Sequence, residues 1–492
     1  MKWLHYRNWL FFFFGILSLQ LNAQQGTATM DLKDAINTAR QYSLDYQAAK
    51  QAYEYSYVDY KSFISSRYPN LSMSGTFPNY TRAIGLITLP NGEPYFVGQD
   101  QAVSNLSLNL SQPVLPTGGT FTLSSSLNRA DVFGKNRSTT YSSVPVTISY
   151  MQNMVGYNAY KWQQKMALAR VETAEKSLLE QGEDISLKTV GYYFEMLQIQ
   201  SALRLAIQNY ANADTLYKIS QQRFTLGTVS KSELLQLQLN LLNVKNELLQ
   251  DSINYTMTTK RFLEYLVLPP GTPVQLHMPD DVHFFQVDVQ TALQQSHNNN
   301  RSVFDARQME LEAAQQLAQA RAQNSVYFSI NANLGFTRTA SAFKSLYNDL
   351  EQQRNLGVSF NIPIINWGYN RLQKQKFITN LAMVKTRNQQ TRIAMEQEVF
   401  NSVSRWNFQQ QLLSSAIVAR EIAVQRYELE KTRYLSGNIS LNDFNIAQQQ
   451  KDEASSRYIQ VLKIYWELYY SLRKLTLYDF AANNQLKLNI RD

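Results

Sequence analysis

Four histidines and no cysteine are all that this 492-residue chain offers to metal or nucleophilic chemistry. His277, His283 and His297 fall in or near a Pro-rich stretch without the paired spacing of a zinc site, and His5 stands alone near the start. The lack of cysteine removes disulfides, thiolate ligands, thiol nucleophiles and N-terminal lipidation together. Neither a Gly-rich phosphate loop nor a G-x-S-x-G elbow occurs. No cofactor, no metal and no enzymatic reaction are therefore expected. The residues that do form a pattern come as a pair. Arg223-Phe224-Thr225-Leu226-Gly227-Thr228-Val229-Ser230 is followed by Glu233, and Arg433-Tyr434-Leu435-Ser436-Gly437-Asn438-Ile439-Ser440 is followed by Asp443. Their chemistry is that of a helical hairpin tip. Glycine takes the left-handed conformation that ends one helix, serine caps the next, and a carboxylate sits well in its first turn.

The elements that hold these tips are also written twice. Tyr217, Arg223, Phe224, Gly227, Val229, Ser230, Glu233 and Gln238 match Tyr427, Arg433, Tyr434, Gly437, Ile439, Ser440, Asp443 and Gln448, each pair 210 residues apart. Gly156-Tyr157-Asn158 returns as Gly368-Tyr369-Asn370, while Ala35 aligns with Ala292 at a separation of 257, so the first copy carries an insertion of about 45 residues. All twelve prolines lie outside 146–268, 280–362 and 364–492. Because proline costs about 3 kcal/mol inside a helix, these are the stretches where long helices can run. Tyr369 to Ser436 is 68 residues free of Gly and Pro, or about 100 Å of helix. Return helices are expected over about Ser230–Leu266 and Ser440–Leu475. The boundaries read as a signal peptide over 1–23, a first repeat over 24–267, a Pro-rich linker over 268–287 and a second repeat over 288–492.

Between the helices lie segments of alternating character. Leu71–Tyr80, Val103–Val114, Thr120–Leu127 and Val144–Met154 belong to the first repeat, and Val326–Phe336 and Leu356–Ile364 to the second. In each, one face is apolar and the other is Ser, Asn, Thr or Gly, and none of the six contains a charge. A half-buried soluble sheet usually shows Lys and Glu on its outer face. An apolar face opposite an uncharged polar one suits a membrane barrel lined by water. The charges are expected in the loops, at Glu93, Asp100, Asp131, Lys135, Lys344, Asp349 and Arg354, with Tyr80, Tyr95, Phe96, Tyr141, Tyr327 and Trp367 as an aromatic girdle. Charged residues are only 17% of the chain, which agrees with this reading. Lys2 and Arg7, the apolar run Trp9–Leu19 and the small residue Ala23 describe an export signal. Its removal lowers the formal charge from +9 to +7. The remaining positive charges are scattered along helices, so nucleic acid is not an expected partner. No later run of apolar residues is long enough for a spanning helix, so a membrane span here means strands.

Helix, strands, long helix, tip and return helix, performed twice, resemble the TolC-type outer-membrane efflux family, and the resemblance covers essentially the whole mature chain. It implies a mixed α and β membrane protein, a homotrimer whose strands close one outer-membrane β-barrel continued by a long periplasmic α-helical barrel. It implies a passive exit duct for small molecules, working with a periplasmic adaptor and an inner-membrane pump and embedded in outer-membrane lipid. By match to the family's tip motif, the adaptor-docking residues are Arg223, Gly227, Thr228, Val229, Ser230, Arg433, Gly437, Asn438, Ile439 and Ser440. At the pore constriction the resemblance places Asp443 and Tyr434, with Glu233 and Phe224 at the same positions in the first repeat. Ile439 and Ile446 stand where the family has an arginine and a second aspartate, so its closed-state network is not reproduced. Family members usually contribute four strands each, whereas this sequence reads as six. The exported substrate is not written in these residues. The alternative is an exported structural coiled coil that binds partners and conducts nothing.

Overall fold

Proline punctuation and period-two alternation translate into two kinds of element. The computed structural model describes residues 28–134, 137–153, 156–279, 282–324 and 326–488. The order is β1 (Ala28–Met30), α1 (Leu32–Tyr42), α2 (Leu44–Ser65), β2 (Asn70–Thr88), β3 (Pro94–Val114), β4 (Gly119–Val132), β5 (Ser138–Gln152), α3 (Ala159–Thr225) and α4 (Lys231–Tyr265). It continues with β6 (Val274–Leu276), α5 (Val289–Asn299), α6 (Arg301–Gln323), β7 (Tyr327–Ala340), β8 (Glu351–Asn361), α7 (Tyr369–Leu435), α8 (Leu441–Thr476), β9 (Tyr478–Asp479) and β10 (Asn484–Gln485). The expected signal peptide, 1–23, lies outside the described residues. Among the described residues no helix is long and apolar enough to cross a membrane. Two compact units form: the described residues up to Thr38 with Tyr192–Val282, and Ala39–Gly191 with the residues from His283 onward. This division cuts across the two sequence repeats.

The second unit holds a six-stranded antiparallel sheet in the order β2-β3-β4-β5-β7-β8. The hairpin that lengthens the first repeat is therefore part of the same sheet. Partners across an antiparallel ladder point to the same side. Leu71, Leu110, Leu123, Ile148 and Leu334 follow one another in register across five strands and share one face. The other face carries Ser and Asn, with Ser74 and Ser107 hydroxyls 2.8 Å apart and Asn105 donating to Asn128. Pro78 and Pro145, which have no N–H to give a ladder, both sit at register shifts, between Thr76 and Asn79 and between Ser143 and Val146. The strands run longer than the alternation suggests. Arg82, Asp100, Arg129, Asp131, Arg338, Glu351 and Arg354 are strand residues rather than loop residues. The apolar alternation reports only the apolar stretch of each strand, whereas backbone pairing continues past it. At the other end β8 stops at Asn361, so Ile362 and Ile364 fall outside it, next to Pro363.

In the first unit a short parallel pair, β1 with β6, is fastened to α3. The buried Tyr193 hydroxyl donates to the carbonyls of His277 at 2.6 Å and Met30 at 3.0 Å. Gln200 acts as a surrogate strand residue: its amide donates to the Leu276 carbonyl at 2.9 Å and accepts from the Leu276 N–H at 3.0 Å. The second unit uses the same device 210 residues on, where Gln410 donates to the Phe285 carbonyl. There Asn407 also pairs with both backbone groups of Val287, at 3.1 and 3.0 Å. Fully buried Trp406 donates to the same Phe285 carbonyl at 3.0 Å and lies against Phe285 and Tyr465, each 4.9 Å between ring centroids.

A buried ion cluster ties α1, α3 and α8 together in the second unit. Glu183 is 4% exposed at its side chain and accepts from Arg40 at 2.8 Å and from Arg473 at 2.8 and 3.1 Å. Arg473 also meets Asp479 at 2.5 Å, and Lys474 meets Asp184 at 2.7 Å. Burial is the largest influence on the Arg473 charge and works against it, but the charges and hydrogen bonds of Glu183 and Tyr469 together raise the guanidinium pKa. Removing one partner strands a buried charge. Glu183→Ala is expected to cost about 3–5 kcal/mol, read as loss of helical signal at lower temperature in detergent. A melting curve matching the parent would mean that the cluster contributes nothing to holding these helices.

Candidate docking tips and constriction residues

Both long helices have 67 residues, and each ends in the same hydrogen-bonded turn. In the first unit Gly227 has φ 76°, its N–H donates to the Phe224 carbonyl at 3.0 Å, and the Thr228 N–H donates to the Arg223 carbonyl at 3.0 Å. In the second, Gly437 has φ 77°, its N–H donates to Tyr434 at 3.0 Å, and the Asn438 N–H donates to Arg433 at 2.9 Å. These paired bonds satisfy carbonyls that a helix end leaves over, and they require a left-handed residue at the glycine. Ser230 then caps α4 by accepting from the Glu233 N–H at 3.1 Å, and Ser440 caps α8 by accepting from the Asp443 N–H at 3.2 Å. Thr228 and Asn438 are exposed at the turns, and Val229 and Ile439 are half-buried.

The candidate constriction residues differ in their surroundings. Asp443 is exposed, and the Ser440 hydroxyl donates to its carboxylate at 2.7 Å. Its capping contact and an outward-facing charge thus exist together. Glu233 is half-exposed in the matching turn of the first unit. Phe224 lies at the end of α3, with the Lys231 ammonium 5.6 Å from its ring centroid. Tyr434 is turned inward: it is buried and stacked on Phe444 at 5.4 Å, within the hairpin formed by α7 and α8. Arg433 pairs with Glu430 one helical turn back, at 3.2 Å.

Below the second tip lies a cluster that motif reading passed over. Tyr427 packs on Phe444 at 5.9 Å, and the Lys451 ammonium, on an 8% exposed residue, sits 4.2 Å from the Tyr427 ring centroid. The signal was present as two heptad pairs, Tyr427 with Tyr434 and Phe444 with Lys451. In the first unit Leu234 and Leu241 occupy the positions 210 residues before Phe444 and Lys451. Burial pushes the Tyr427 hydroxyl up to about 12, with Glu428 and Asp452 adding to the effect. A raised phenol pKa means that its stabilisation is complete below the ordinary value of 10.0 and is lost as pH rises through about 12.

The second unit thus carries a six-stranded antiparallel sheet with one apolar and one Ser/Asn face, and each unit carries one glycine-tipped helical hairpin. The chain is similar to the outer membrane protein VceC of Vibrio cholerae, with a TM-score of 0.65 at 13% identity over 93% of this chain and 97% of that one. It is similar to the CmeC outer membrane channel of Campylobacter jejuni, with a TM-score of 0.64 at 17% identity over 90% and 85%. The open state of the MtrE outer membrane channel of Neisseria gonorrhoeae gives 0.60 at 12% identity over 94% and 91%. Residues 97–262 and 292–476 match the outer membrane efflux protein family, and the chain belongs to that family. Among curated proteins no relative matches in sequence.

Two measurements check this local geometry. A Cβ added at Gly437 meets nothing within 4 Å, so the cost of Gly437→Ala is backbone strain alone, about 1–2 kcal/mol. Gly437→Asn should cost less, since Asn tolerates this region. Amide exchange across 438–444 reads the difference, and equal protection in parent and Ala variant would show that the left-handed turn does not hold the tip. In an alkaline absorbance titration, Tyr427→Phe should remove one of the late-ionising phenols. An unchanged late phase would place Tyr427 in contact with solvent.

Proposed function

We propose that this protein is the passive exit duct of a tripartite export system, in which three copies close one barrel through the outer membrane and their helices continue it through the periplasm. The observation that carries the reading is the sheet. Its apolar face is exposed, with Leu71 at 63%, Leu356 at 75% and Phe360 at 67%, and β2 and β8 are left as its edges. Hydrocarbon accepts such a face only if every backbone group is paired, which calls for edge-to-edge closure between copies. Three copies of six strands give eighteen, a wider barrel than four strands per copy would build. The Ser/Asn face lines the water-filled lumen.

The tips face the periplasmic adaptor. Arg223, Gly227, Thr228, Val229 and Ser230 of one hairpin, and Arg433, Gly437, Asn438, Ile439 and Ser440 of the other, present exposed backbone turns and short polar side chains for its docking. An inner-membrane pump supplies the energy, and the cargo is small molecules selected upstream. At the constriction, three Asp443 carboxylates form a ring that focuses negative potential, and Glu233 is the matching carboxylate of the first repeat. Tyr434 holds the hairpin that carries Asp443, whereas Phe224 lies exposed beside Lys231 at the first tip.

Single-channel recording from the detergent-purified protein, with its oligomeric mass from the same preparation, tests the reading. A conducting trimer is expected. A monomer that never conducts would sink the duct and favour a structural coiled coil. In the conducting protein, Asp443→Ala should weaken block by divalent cations about tenfold while trimers persist, because the focused charge is gone. Unchanged block would remove Asp443 from the pore.

A further inference from the structure

The strands contain four arginines, Arg82, Arg129, Arg338 and Arg354, and no lysine. Register puts all four on the apolar face. Arg354 pairs with Leu334, in the row of Leu71, Leu110, Leu123 and Ile148. Arg338 pairs with Ser143, in the row of Leu106 and Leu127. Arg129 pairs with Tyr141, and Arg82 with Asp100. Projected onto β3, these rows fall at Leu110, Leu106, Ser104 and Asp100. The arginines thus climb toward the hairpin loops from β8 to β2. Strands tilted by about 45° and spaced about 4.8 Å apart climb about one and a half residues per strand. After that correction the four positions lie within about 7 Å of one level, the reach of an arginine side chain. They form a belt across the sheet at its end away from the helices, and Tyr80 and Tyr141 lie in it.

The belt carries more positive charge than its own acids neutralise. On this face only Asp100 and Asp131 are acidic, and Glu351 lies on the other face. Arg129 pairs with Asp131 at 2.9 Å, and Asp100 stands opposite Arg82. Arg338 donates to the Asp349 backbone carbonyl at 3.0 Å, and Arg354 to the Gln352 amide oxygen at 2.6 Å. Both acceptors are neutral, and the buried Arg338 Nε meets no acceptor. Two guanidinium charges per chain therefore border an apolar face with no counter-charge among the described residues.

The geometry points to Arg338 and Arg354, flanked by Arg129 and Tyr141, as a binding site for the phosphate groups of membrane-lipid headgroups. The inference rests on the barrel reading above, which turns this face to lipid. Phosphate suits the site because a guanidinium fork grips two of its oxygens at once, and a lipid supplies it because the arginines continue the apolar face itself. The belt then fixes the depth at which the barrel sits, with phosphates as the anchor.

The full-length protein is placed in phosphatidylcholine nanodiscs doped with diphosphorylated lipid A or with its dephosphorylated form, and lipid retained after detergent extraction is counted by mass spectrometry. The phosphorylated form should be retained about tenfold better. The double variant Arg338→Gln, Arg354→Gln should bring the two forms to parity while conductance stays at the parent value. Should that variant fail to insert, Arg338→Lys with Arg354→Lys is read instead, and a weakened but surviving preference supports the site. Parity in the parent, parity in the lysine variant, or a preference that the glutamines leave intact would overturn it. Displacement of the lipid by excess inorganic phosphate would make it a site for the free ion and overturn the lipid assignment. A conducting parent without preference removes this site alone, whereas a parent that neither inserts nor conducts removes the barrel reading as well.

Discussion

A sheet that turns an apolar face outward must pair every backbone N–H and C=O within itself, because hydrocarbon offers none a partner. Much of this chain can be understood as service to that obligation. Within the strands, prolines stand only at the start of β3 (Pro94), beside its end (Pro113) and at register shifts (Pro78 and Pro145), where a missing donor costs least. On the opposite face polar side chains pair sideways, Ser74 with Ser107 and Asn105 with Asn128. β2 and β8 remain the edges of the sheet.

The helices answer a different demand. A helix of 67 residues is far longer than propensity alone would stabilise, and it is held at intervals by specific grips. Gln200 and Gln410 each reach out to extended backbone in the stretch between the repeats, one in each compact unit. The Glu183 cluster joins three helices through charge rather than through apolar contact, which makes that joint sensitive to the loss of any one member. Capping serines and left-handed glycines then close the ends.

How far the sequence could be read depended on the range of each interaction. Local devices were legible: Gly227, Ser230, Gly437 and Ser440 announced the tips, and the helix ends fall within a residue or two of the expected positions. Six strands were legible from alternation, yet their true ends were not, since Arg82, Arg129 and Arg354 break the apolar pattern while the ladder goes on. The ion cluster was invisible because Glu183 and Arg473 stand 290 residues apart. Tyr434 matched a family position by alignment, but its burial against Phe444 depends on a partner that only the folded hairpin supplies. The arginine belt was hidden for a related reason: it exists only when register lines up residues from four different strands.

The unbroken run of α7 carries a mechanical meaning. Between Tyr369 and Ser436 there is neither Gly nor Pro, so the sequence supplies no joint at which the rod would bend first. Over about 100 Å, a swing of about 5° at the root carries the far end through about 9 Å. The helix is a lever with high gearing. Side-chain adjustments of a size that thermal motion supplies near the sheet become, at Gly437, displacements as wide as a helix.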